Sequence, residues 1–214
     1  VDPDLRTYQA IATGHVFFLV DRPSTGERTL VKADQIALEI YWRGPRDTRQ
    51  RIIGMRDQKV LPTNIRYHLD HLTVVQDDFG DRISLGDGDE VAAVVHPVAP
   101  GSEEVYDFRV ADSLTISFTG SGGEVRVYEV QVRPQDSEVP GFVGSVFIDR
   151  TTAAIVRMNF TFTPASYVGH ELDYISISLD NSLWESKWWL PYRQELEIRR
   201  ELPRLNFLAG SVIR

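Results

Sequence analysis

The densest polar constellation in this chain is His68-Leu69-Asp70-His71, followed by Asp77, Asp78 and Asp81. Imidazoles and carboxylates are the groups that zinc, manganese or iron would need. A metal-bound water held by His68, Asp70 and His71 would make the chain a hydrolase. The spacing is poor for that chemistry. On a helix His68 and His71 share a face at i and i+3, but there is no His-Glu-x-x-His pair, and on a strand His68 and Asp70 face away from His71. The ordinary reading is a set of half-exposed polar residues at the start of a strand or loop, with no metal and no cofactor expected. His15, His96 and His170 are scattered singly and read as satisfied surface or interface histidines.

Gly86-Asp87-Gly88-Asp89-Glu90 has the oxygen ligands and glycines that a calcium loop uses. Its acids are crowded into five residues, however, with no closing Glu at a twelfth position, so an acidic hairpin turn before the strand Val91–Val95 is expected. There is no Gly-x-Ser-x-Gly elbow, and Gly141-Phe142-Val143-Gly144-Ser145 runs into a strand, which makes Ser145 a strand residue. Phosphate-binding and dinucleotide-binding glycine motifs are absent. Carboxylate pairs such as Asp77 with Asp78, or Asp87 with Asp89, are uninformative on an acidic surface. No catalytic residue is assigned.

The aromatic cluster Trp184, Trp188, Trp189 and Tyr192 holds three of the four tryptophans within a dozen residues, beside Leu183, Leu190 and Pro191. Each such side chain joins a large apolar body to a polar handle. It therefore suits an apolar cavity, a protein interface or a membrane headgroup region, as well as a hairpin packed into the core. Trp188, Trp189 and Tyr192, with Phe160 and Phe162, are the candidate ligand-binding residues.

Composition narrows the classes. With 42% hydrophobic and 25% charged residues the chain has an average globular balance and should fold. Its 31 acidic against 23 basic residues give a net charge of −8, which would repel a nucleic-acid backbone. The absence of cysteine excludes disulfides and thiolate chemistry. The longest apolar run, Val16–Val20, is far below the ~20 residues of a membrane-spanning helix. The abrupt opening Val1-Asp2-Pro3 and the strand-like ending Gly210-Ser211-Val212-Ile213-Arg214 suggest a piece of a longer protein, with no leader segment in view.

Period-two alternation dominates the chain. It runs through Ile36, Leu38, Ile40 and Trp42; through Leu114, Ile116 and Phe118; and through Val156, Met158, Phe160 and Phe162. It continues at Ile175, Ile177 and Leu179, and at Tyr192, Leu196 and Ile198. Between Val125 and Val132 the parity slips, as a bulge would cause. Turn chemistry separates the runs at Arg22–Gly26, Arg43–Asp47, Gly86–Asp89, Pro97–Gly101 and Gly120–Gly123. Asp4–Thr13 reads as an opening helix capped by Asp4 and closed by Gly14, and Pro62–Phe79 has room for a second. No repeat or linker divides the chain, so one mainly β domain over residues 1–214 is expected: a strongly curved antiparallel sheet or incomplete barrel with one or two short helices.

Phe142-Val143-Gly144-Ser145-Val146-Phe147-Ile148-Asp149-Arg150-Thr151-Thr152-Ala153-Ala154-Ile155-Val156-Arg157-Met158 combines a strand ending Ile-Asp, a Thr-rich turn and a strand opening Ala-Ile-Val-Arg. Together with Tyr128–Pro134 and Trp189-Leu190-Pro191-Tyr192, it resembles the lipoprotein-sorting, LolA-like β proteins of the Gram-negative envelope. It also resembles the periplasmic region of carboxypeptidase-regulatory-like outer-membrane proteins of unknown function. The resemblance covers about Val125–Arg199. It implies an incomplete barrel around an apolar space for acyl chains, a periplasmic or outer-membrane-associated location, and a non-enzymatic role binding a lipid, lipoprotein or envelope protein partner. The alternatives are a structural or interaction subunit of a larger envelope assembly, pairing through open strand edges, and the metal-dependent hydrolase above.

Overall fold

The computed structural model describes residues 4–44, 47–59, 80–85, 90–117, 123–202 and 205–214. The expected segment Pro62–Phe79, the histidine pair and the Gly86–Asp89 turn lie outside these residues. Twelve strands follow in chain order: β1 (Thr7–Arg22), β2 (Glu27–Arg43), β3 (Asp47–Lys59), β4 (Arg82–Leu85), β5 (Val91–Val95), β6 (Tyr106–Ser117), β7 (Glu124–Pro134), β8 (Phe142–Asp149), β9 (Ile155–Phe162), β10 (Leu172–Trp184), β11 (Trp188–Leu202) and β12 (Leu205–Ile213). Ten of them form one antiparallel sheet in the order β3-β2-β1-β12-β11-β10-β9-β8-β7-β6, which does not close on itself, while β4 and β5 form a separate hairpin. Six register shifts interrupt the large sheet, for example at Phe18/Leu19, Val110/Asp112 and Asp180/Asn181, and such bulges bend and twist a sheet.

The alternation read from sequence becomes one buried face. Ile36, Leu38, Ile40 and Trp42 of β2, Met158, Phe160 and Phe162 of β9, and Ile175 and Ile177 of β10 are all at most 5% exposed. The β4–β5 hairpin brings Ile83, Leu85, Val91 and Val94 into the same cluster. Phe160 stacks on Phe142 with ring centroids 4.6 Å apart and meets Phe162 edge-on at 5.5 Å. Burying each such ring contributes roughly 1.5–3 kcal/mol.

Two buried polar links hold the hairpin to the sheet. The Glu90 carboxylate, 6% exposed, accepts at both of its oxygens from the Arg200 Nη2 of β11, at 2.5 and 2.7 Å. The Tyr106 hydroxyl donates to the Val95 carbonyl at 2.6 Å and accepts the Phe142 N–H at 3.1 Å, which joins β5 to β8. Glu90 therefore acts inside the protein rather than on an acidic turn surface.

Two sequence expectations are corrected. Asp4–Thr13 is not a helix: β1 begins at Thr7 and pairs along its length with β2 and, from Gly14, with β12. Gly14 is mid-strand, where an added Cβ would stand 2.2 Å from the Val212 carbonyl oxygen; the glycine serves close strand approach, not helix termination. The parity slip of β7 is not a bulge in β7, which pairs with β8 without interruption from Val127 to Val132. Its apolar residues instead serve two clusters: Val132 joins the main core, while Val127 packs with Phe147 and Val156 in a second one. The extra residue lies in the neighbouring β6, at Ala111. Helix among the described residues is limited to two three-residue 3-10 turns, Ser102–Glu104 and Pro164–Ser166. No helix among them is long and apolar enough to cross a membrane.

Candidate functional site

A cavity of about 540 Å³ lies where the two halves of the curved sheet approach one another. One wall comes from the N-terminal hairpin. Tyr8 of β1 sits opposite Trp42 of β2, and their rings stack at 5.5 Å with planes 18° apart. The facing wall comes from Ile155 and Met158 of β9, Leu179 of β10, and Trp189, Leu190 and Pro191 of β11. His96 and Val98, in the turn after β5, complete the lining. This size falls within the ordinary range for small-molecule sites.

The polar groups of the lining are largely engaged by protein. Asp180 accepts from Arg157, Asn181 donates to the Ile155 carbonyl at 2.8 Å, and Arg193 is paired with Glu195. The Thr152 hydroxyl donates to Asp149, and the Lys187 ammonium stands 4.5 Å over the Trp188 ring. His96 Nδ1 accepts the Val98 N–H at 3.1 Å, which fixes the neutral ring's proton on Nε2. Walls of this kind offer apolar contact and a few orienting dipoles rather than a nucleophile beside a base.

Of the residues singled out from sequence, Trp189 lines the cavity and also packs against the Val127–Phe147–Val156 cluster. Phe160 and Phe162 are buried in the core beneath, each 4% exposed. Trp188 is half-buried under Lys187, and Tyr192 is the extra residue of the bulge opposite Asp180/Asn181, 41% exposed; neither borders the cavity. Tyr8 and Trp42 were not chosen from sequence. Trp42 was legible as a buried strand residue, but Tyr8 fell in the segment misread as helix.

Among the described residues, no group of three or more His, Cys, Asp or Glu is placed to hold a metal ion. His68, Asp70, His71, Asp77 and Asp78 lie outside them. Asp81 is exposed, and its carbonyl accepts the His96 N–H at 2.9 Å. Ser145 is on β8, its hydroxyl donating to the Glu129 carboxylate at 2.7 Å. Among the described residues, Tyr174 is the acid–base group displaced furthest from its ordinary value. Burial first, and then its hydrogen bond to Glu197, push its phenol up to about 12, and it does not line the cavity.

No protein-family model matches the chain. No curated protein matches it either. Solved structures similar to it include an outer-membrane lipoprotein-sorting protein domain from Vibrio parahaemolyticus, at 10% identity over 96% of this chain and 85% of that one, with a TM-score of 0.28. A LolA superfamily protein from Nitrosomonas europaea is 13% identical over 94% and 83%, with a TM-score of 0.25. A chain of the MucA/MucB complex from Pseudomonas aeruginosa is 11% identical over 94% and 88%, with a TM-score of 0.24. The first two belong to the group that the Phe142–Met158 hairpin resembles.

Proposed function

We propose that the chain, acting as one β domain over residues 1–214, is a non-enzymatic cell-envelope domain that takes an apolar ligand into the cavity between Tyr8, Trp42 and Trp189. The ligand is an acyl chain, free or carried on a lipoprotein. The observation that carries this reading is the cavity itself, walled in part by stacked aromatics and aliphatic side chains, with Asp180, Asn181, Arg193 and Thr152 of its lining already engaged by other groups of the protein. Each ligand methylene buried there contributes about 0.8 kcal/mol, so a long chain gains enough to bind without a charged anchor. The resemblance of the Phe142–Met158 hairpin supports a periplasmic or outer-membrane-associated location. Native mass spectrometry of the purified chain, compared with a denatured extract of the same sample, tests the proposal. Masses of acyl species lost on denaturation support it. A chain that stays empty even after incubation with fatty acid overturns it.

A second reading, an interaction subunit, is favoured by β6. This strand ends the sheet order, and it exposes Phe108 (44%) and Val110 (64%). An edge of this kind can accept a strand from a partner protein. Replacing Val110 with proline would abolish such a complex while leaving ligand uptake intact.

A further inference from the structure

β12 is shorter than the strands on either side of it. Its last rung with β1 joins Arg214 to Thr13, which exchange main-chain bonds at 2.8 and 2.9 Å, and its last rung with β11 joins Ile213 to Gln194. Beyond those rungs β1 runs six residues further, back to Thr7, and β11 runs six further, back to Trp188. Two strands that flank a third stand about 9–10 Å apart, so past Arg214 the sheet holds a cleft one strand wide. Both walls border the cavity, Tyr8 from β1 and Leu190, Pro191 and Arg193 from β11. Each wall is held from behind. β1 is laddered to β2 along its whole length, and Trp189 packs β11 on the Val127–Phe147–Val156 cluster.

The rungs also fix where the main chain of β1 points. Successive residues of an antiparallel strand turn their N–H and C=O groups to opposite sides. Thr13 faces β12, the Arg6 carbonyl accepts the Gly44 N–H at 2.9 Å on the β2 side, and no register shift occurs before Phe18. Residues 6, 8, 10 and 12 therefore face β2, while Thr7, Gln9 and Ile11 face the cleft. Among the described residues nothing receives the main-chain groups of those three. Ile11 is 67% exposed, the most of any large hydrophobic side chain described, as a strand residue is when a neighbouring strand is missing. Donors and acceptors repeating every second residue are a template for an extended backbone. That backbone lies between two strands, so it must be open to pairing on both of its sides. Among the described residues every strand already has a neighbour, and the end strands β3 and β6 have one side each, so a folded second copy has no such strand to give.

We propose that the cleft beyond Arg214 takes an extended, otherwise unpaired segment of a partner protein, running in the direction of β12 and pairing with β1 through Thr7, Gln9 and Ile11. Alternate side chains of that segment turn toward Tyr8, Trp42 and Trp189, so it carries apolar residues at every second position. This goes beyond the acyl ligand of the cavity, and its test contains no lipid. The test is amide hydrogen exchange, read by NMR, on the whole chain with and without a seven-residue peptide of alternating threonine and valine carrying one lysine for solubility. In the chain alone the Thr7, Gln9 and Ile11 amides exchange fast, while those of Ala10 and Ala12, turned to β2, exchange slowly. The peptide slows the first three at least about tenfold and saturably. Ile11→Pro removes only a donor that faces the cleft, leaves the β2 ladder intact, and weakens peptide binding about tenfold. Slow exchange of the three amides in the chain alone overturns the proposal, since the cleft is then filled from within. So do a peptide that leaves them fast, and equal binding by Ile11→Pro. Protection that rises with the concentration of the chain alone also overturns it, because the occupant is then a second copy. Exchange in the wild-type chain decides the matter even if the proline variant does not fold.

Discussion

One of the two polar links between the β4–β5 hairpin and the large sheet is a buried ion pair, and its strength can be worked from the structure. Glu90 is 6% exposed and the Arg200 side chain 22%, with both guanidinium bonds running to the same carboxylate. Removing one partner of a buried pair typically costs about 3–5 kcal/mol, because the other charge stays behind without its counterion. Arg200 regains some water through its partial exposure, and glutamine keeps one acceptor, so Glu90→Gln should cost about 2–3 kcal/mol. Arg200→Met should cost at least as much, since it removes the guanidinium from the more buried charge. The double variant strands neither charge, and should be more stable than the sum of the single losses predicts by about 2 kcal/mol. Urea unfolding followed by tryptophan fluorescence measures all four proteins, provided the slopes agree. Additive losses, or a loss below about 0.5 kcal/mol for Glu90→Gln, would refute the assignment of this pair as the pin between the β4–β5 hairpin and β11.

Tyr106→Phe removes the hydroxyl that serves both the Val95 carbonyl and the Phe142 N–H; calorimetry should show a loss of about 1–3 kcal/mol despite the near-identical shape. Gly144→Ala places a Cβ 2.2 Å from the Asn159 carbonyl oxygen and 2.7 Å from the Phe160 Cα, so β8 and β9 must separate and the melting temperature should fall by several degrees. Tyr174 has its phenol raised from 10 to about 12, so the folded state holds its proton where the unfolded state has released it. Its contribution is complete below pH 10 and is lost as pH rises from 10 through 12, by about 1 kcal/mol once solvent screening of this half-buried group is discounted. Tyr174→Phe should flatten that alkaline decline in a urea series.

Strand content was legible because the alternation in β2, β9 and β10 is set by one buried face, a local property of the sequence. The first strand was not: Asp4, Ala10, Ala12 and Gly14 satisfy the local rules for a capped helix, and only pairing with β2 and with the distant β12 overrides them. The β7 slip was visible, yet its cause was not, since two cores on opposite faces and a bulge within β7 leave the same trace. The cavity was half legible. Trp189 belongs to a conspicuous cluster, but Tyr8 and Trp42 become its neighbours only when the two ends of the chain meet through β1 and β12. Glu90, 110 residues from Arg200, looked like one more acid in an acidic turn.

Whether the space between Tyr8, Trp42 and Trp189 holds an apolar ligand is decided by the binding of a fluorescent long-chain fatty acid to the wild-type chain and to Ala154→Trp. Ala154 lines the cavity from a half-exposed position, so a tryptophan there fills the space without displacing the core. Saturable one-to-one binding by the wild-type chain is expected, with at least about a tenfold loss in Ala154→Trp and melting unchanged. Equal binding by both proteins, or no saturable binding by either, would contradict it.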